Sequence, residues 1–215
     1  MPEYTRPAIK AREFRDEFGA VIRYGTRWTG PPPDDSYSRV RNPERFAPLQ
    51  TIAEALIEHL RAAYRAEITP STTSAGTKLV AVTPEPADAA PLVFRFTDFP
   101  GVEIRAGVRY RAAFPACGCD ACDETWDDAA DDMERLVFAV THGTFSERIT
   151  LPSGGTATVE YRIETSSSVR RSGATYGVDP DHGLRDDAAR LDNLPGGLWQ
   201  PWTRKLKAQS RVPVS

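Results

Sequence analysis

Apolar residues recur at Leu49, Ile52, Ala53, Leu56, Leu60, Ala63 and Tyr64, a 3.6-residue period that predicts an amphipathic helix reaching about Ala66. Ahead of it, Asn42-Pro43-Glu44 reads as a cap with proline at the first helical position, and Pro48 restarts the helix, since proline cannot sit inside one. A second stripe, Trp126, Ala129, Ala130, Met133, Leu136, Val137 and Val140, predicts a helix from about Asp123 to Thr141, with Gly143 just past its end.

Between the helices the period changes to two. Lys78–Thr83, Leu92–Thr97 and Val102–Tyr110 read as strands, and 70–77 as a polar loop. Leu92, Phe94, Phe96, Val102, Ile104, Ala106 and Val108 face a core, while Arg95, Arg105, Arg109 and Arg111 face solvent. A two-residue loop at Pro100-Gly101 would set Phe96 against Arg105, so a three-residue loop or a bulge is expected, with Gly101 at positive φ. Glu147–Leu151 and Thr156–Glu164 alternate around Pro152-Ser-Gly-Gly155 as a hairpin, and Ala20–Tyr24 could form a short strand. The pattern predicts one α+β domain with a mostly antiparallel sheet and two main helices. Residues 1–35 are an N-terminal segment ending in the linker Pro31-Pro-Pro-Asp-Asp35, 36–165 the core, and 166–215 an irregular tail anchored by Trp199 and Trp202.

Composition narrows the class. The 215 residues carry 27 Lys+Arg against 30 Asp+Glu, a net charge of −3, so the chain lacks the basic footprint of a nucleic-acid binder. No apolar run approaches a membrane span. The first residues carry no secretory h-region, and the three cysteines crowd into six positions rather than spacing out as a disulfide framework. The expectation is a cytoplasmic protein with reduced thiols.

Those cysteines are the one constellation with chemistry. Cys117-Gly-Cys119-Asp-Ala-Cys122 places three soft thiolates where Gly118 lets the backbone wrap one ion. Zinc takes four ligands, so a partner is needed: His142, His182, His59, or a local carboxylate such as Asp120 or Glu124. Cys122 also starts the second helix, whose dipole favours a thiolate, while the acidic residues around it oppose one. From 117 to 134 there is no Lys or Arg, and Asp127, Asp128, Asp131 and Asp132 could meet a basic protein partner or form a solvated face. The arginines of the middle strands could bind an anion, and Asp179-Pro-Asp-His182 offers hard ligands in what also reads as a turn. Phosphate-binding glycine loops, G-x-S-x-G and H-E-x-x-H are absent from the sequence.

Tyr24-Gly-Thr-Arg-Trp28, Ser38 to Leu49, Phe96-Thr-Asp-Phe-Pro-Gly101 and Phe114-Pro-Ala-Cys-Gly-Cys-Asp-Ala-Cys-Asp-Glu124 together resemble a family of uncharacterised bacterial proteins, catalogued as a domain of unknown function. The resemblance covers about 20–165 plus the Trp199-Gln-Pro-Trp202 ending, and implies no activity or catalytic residue. The resulting expectation is a non-catalytic protein whose Cys117, Cys119 and Cys122, with His142, hold a structural zinc ion. The alternatives are a metal-free acidic interaction module of inhibitor or immunity type, and a thiol enzyme with Cys122 as nucleophile.

Overall fold

The computed structural model describes residues 3–10, 12–164, 170–178 and 182–206. Helix α1 (Pro48–Ala63) starts with proline at its first position and buries Leu49, Ile52, Ala53, Leu56, Ile57 and Leu60. Asn42 does not cap it. It sits in the left-handed region (φ 49°) before a short 3₁₀ turn, Pro43–Phe46, and its side chain donates to the Tyr24 hydroxyl instead.

Five strands follow α1 or come between it and α2 as an antiparallel meander in the order β1 (Ala66–Thr72), β2 (Lys78–Pro84), β3 (Leu92–Phe96), β4 (Val102–Ala106) and β5 (Tyr110–Phe114). Two of these correct the sequence reading. Part of the expected polar loop at 70–77 is β1, an edge strand whose mostly exposed side chains need no apolar pattern and where Pro70 is tolerated. The expected strand 102–110 is broken at Gly107 (φ 61°), so Ala106 pairs with Tyr110 in a hairpin. Leu92, Phe94, Phe96, Val102, Ile104, Ala106 and Val108 are all buried, as their alternation predicts. Phe96 faces Val102 across a five-residue loop, 97–101, so the register stays in phase without a bulge. Gly101 is not at positive φ. Its constraint is close approach: a Cβ there would stand 2.6 Å from the Phe114 carbonyl oxygen.

Helix α2 (Trp126–Thr141) begins three residues later than predicted, where the Thr125 hydroxyl accepts the Asp128 N–H, and ends at Gly143 (φ 72°). It packs on α1, on β5 and on a second, three-stranded antiparallel sheet of β6 (Phe145–Thr150), β7 (Ala157–Glu164) and β8 (Arg170–Val178). The region expected to be an irregular tail thus carries β8 and helix α3 (His182–Asp192). Its low hydrophobicity hid both, because α3 buries only a narrow seam of Leu184, Ala188 and Leu191. Trp199 and Trp202 do anchor the end. The Trp202 indole donates to the Ala90 carbonyl, its backbone N–H to Thr141, and the Arg65 N–H to Thr203. At the other terminus, residues 20–24 form no strand; Arg15 and Val21 make a single bridge around a turn held by Asp16.

The buried residues of both sheets, all three helices and the two tryptophans belong to one core cluster. Among the described residues no helix is long and apolar enough to cross a membrane.

Candidate metal centre

The loop between β5 and α2 is built by its own carboxylates. Glu124 accepts the N–H groups of Ala116 (3.0 Å) and Cys117 (2.9 Å), drawing the two ends of the cysteine segment together. Gly118 lies against the Phe99 ring, where a Cβ would come within 2.5 Å of Cζ. The three sulfurs consequently converge: each Sγ lies within 4.8 Å of the others, and Cys117 and Cys119 are 3.3 Å apart. Cys119 is buried, Cys117 half-buried and Cys122 exposed.

Zinc bound tetrahedrally at about 2.3 Å needs sulfurs roughly 3.8 Å apart, so the three sulfurs can take three of its four positions with small side-chain rotations. Without an ion the thiols are unequal. The backbone N–H of Cys122 draws Cys119 below the usual thiol range, although burial opposes it. Contacts with Cys117 and Cys119 push Cys122 up to about 12. A pushed-up exposed thiol is the reverse of what Cys122 as an attacking thiolate would need.

The candidates for a fourth ligand fare differently. His142 does not reach the cluster: it caps the far end of α2, about 24 Å along a 16-residue helix, and stacks on Phe138. His59 packs among Tyr4, Tyr64 and Phe138. Asp120 is fully buried and accepts Arg39 Nε (2.9 Å) and the Arg41 N–H (3.0 Å), and Glu124 is committed to the loop backbone. The His182 side chain and residues 179–181 lie outside the described residues.

The acidic face of α2 is paired within the chain. Arg6 reaches Asp127 (2.6 Å), Glu134 (2.7 Å) and Asp131, and the Tyr4 hydroxyl donates to Glu134 (2.6 Å). Asp128 accepts the Thr125 hydroxyl, while Asp132 meets Arg135 (2.9 Å) and Arg171 (2.8 Å). The cations opposite this face are the chain's own N-terminal segment and β8. Arg6→Ala should cost about 1 kcal/mol at low salt and less at high salt, because Asp127 and Asp131 stay more than half exposed. Thermal unfolding at two ionic strengths checks this; a salt-independent loss would mean packing, not charge, holds the segment.

What sequence reasoning missed is a collar of N-terminal side chains around the cysteine loop. Arg27 donates from its N–H (2.9 Å) and Nε (2.8 Å) to Asp123, which sits at φ 49°. The Trp28 indole donates to the Asp120 carbonyl (3.1 Å). The supposed linker holds a 3₁₀ turn, Asp34–Tyr37, and its Ser36 carbonyl accepts the Ala121 N–H; Arg39 O accepts Asp120 N. Burial pushes the Asp120 carboxyl up, but the Arg41 N–H, Arg39 and Arg27 outweigh it and hold it below the usual range. These contacts span about 80–96 positions, so no local spacing signals them.

A family model described as a family of unknown function (DUF6226) matches residues 10–206. The chain belongs to this family. The matched span takes in the collar, the cysteine loop, both sheets and the Trp202 anchor, so family and fold share nearly the same limits. Among curated proteins and among solved structures, nothing matches the chain.

A separate open cleft of about 650 Å³ runs over the second sheet, beside Arg148, Glu160, Arg162 and Leu198. It shares no residue with the cysteine loop.

Proposed function

We propose that this protein is non-catalytic and that Cys117, Cys119 and Cys122 hold a structural zinc ion at the junction of β5 and α2. What supports the reading most is the convergence of three sulfurs within 4.8 Å on a loop to which the N-terminal segment is also tied. Three soft sulfur donors suit zinc, and such a site contributes folding energy directly. Loading it releases three thiol protons: Zn²⁺ with three Cys–SH and a neutral fourth ligand such as a water molecule gives a centre of charge 2 − 3 = −1 and three H⁺. A structural role also agrees with the burial of Cys119.

The test is chelation. A strong chelator should lower the unfolding midpoint on the order of 10 °C, as expected for removing a ligand present at about a thousandfold its Kd from a chain of this size. The three thiols should react quickly with a thiol reagent only afterwards. Midpoint and thiol reactivity that ignore the chelator would overturn the reading.

A further inference from the structure

Arg45 is 4% exposed and packs against the cysteine loop. One terminal nitrogen donates to the Arg41 carbonyl and the other to the Gly118 carbonyl (3.1 Å), the peptide between Cys117 and Cys119. Its guanidinium carbon lies 4.3 Å from the ring centres of both Tyr24 and Phe46. Its Nε is buried and, among the described residues, has no hydrogen-bond partner.

Charge makes this arginine unlike its neighbours. Arg27 pairs with Asp120 and Asp123, Arg39 with Asp35 and Asp120, and Arg41 approaches Asp120 at 3.9 Å. Arg45 makes no ion pair among the described residues; Asp120 and Asp123 act on it only from farther off, Arg27 opposes it, and burial, the largest influence, works against its charge. A buried cation whose direct contacts are only carbonyls and ring faces, with its carboxylates at longer range, is incompletely compensated. A zinc–trithiolate centre supplies the missing negative charge.

We propose that Arg45 is the positioning residue and counter-charge of a monoanionic zinc–trithiolate centre. The inference rests on the zinc reading above. Its guanidinium fork ties Gly118 to the 3₁₀ turn Pro43–Phe46, on which Arg45 sits, and to the Arg41 carbonyl ahead of that turn, fixing the peptide between two ligating cysteines. Its positive charge stabilises the loaded, anionic state over the three neutral thiols. Outer residues that orient a metal's ligands commonly carry this weight. The role also accounts for Tyr24 and Phe46, whose rings flank the guanidinium and whose negative faces favour a desolvated cation.

The experiment is a zinc competition titration of the full chain against a chromophoric chelator at one fixed pH. Wild type is compared with Arg45→Met, Arg45→Gln and Arg45→Lys, and the stability of each metal-free form is measured alongside. Arg45→Met and Arg45→Gln should bind zinc about 10–100-fold more weakly. Arg45→Lys should recover part of that loss, since it keeps the charge without the fork. If Arg45→Met does not fold, Arg45→Gln, which keeps an amide donor for the Gly118 carbonyl, gives the same readout. A merely structural arginine would destabilise the metal-free and zinc-loaded forms equally, and unchanged affinity would overturn the proposal alone. Arg45→Lys binding as weakly as Arg45→Met would overturn the counter-charge. Wild type that takes up no zinc would remove the zinc reading, and this inference with it.

Discussion

Replacing Glu147 by leucine should destabilise the protein by about 3–5 kcal/mol, the largest effect of any single change outside the apolar core. Glu147 on β6 is 5% exposed, and its carboxylate takes four donors. They are the N–H groups of Val108 (2.9 Å), Arg109 (2.8 Å) and Tyr110 (2.7 Å) in the β4–β5 turn, and the Trp199 indole (3.2 Å). Burial pushes the carboxyl above its usual range despite them. This one side chain thus joins the second sheet to the first and to the C-terminal anchor. Leucine would fill the volume and leave all four donors unpaired. Gly107 belongs to the same joint: at φ 61°, a Cβ there would stand 1.9 Å from Glu147 Oε2, so Gly107→Ala should also destabilise. Denaturant unfolding decides the matter. A loss below 1 kcal/mol for Glu147→Leu would mean that this joint is not what unites the sheets.

Asp120→Ala should cost about 2–4 kcal/mol and should also free the N-terminal segment. Asp120 is fully buried and gathers Arg39 Nε, the Arg41 N–H and Arg27. Removing the carboxylate leaves these donors facing a cavity, although the partial exposure of Arg39 lets water repair some of the loss. Cleavage by trypsin after arginines 27, 39 and 41 should become rapid in the variant while α1 stays protected. Unchanged stability with an uncut segment would show that the collar is held from elsewhere.

The elements legible in the sequence were those whose burial is one-sided and periodic. The stripes of α1 and α2 and the alternation of β2, β3, β4, β6 and β7 each state which face is covered. Elements held mainly by backbone pairing were not legible: β1 needs only one neighbour, and β5 hid behind Gly107 because 102–110 keeps its alternation through the turn. The cysteine loop was visible because its ligands are local. Its surroundings were not, because Arg27, Arg39 and Arg45 arrive from 73–96 positions away and replace an expected linker with a docked collar. The acidic helix looked like a surface awaiting a partner. Its counter-ions include Arg6, 121–128 positions distant, and sequence spacing cannot reveal an intramolecular pair at that range.

The most direct measurement is metal content per chain on tag-free protein, purified without added metal or chelator. Close to one zinc per chain, with three thiols unmasked by chelation, is the result predicted for Cys117, Cys119 and Cys122 as a structural centre. No bound metal, together with three thiols that titrate freely in the folded protein and no gain in stability on adding zinc, would contradict it.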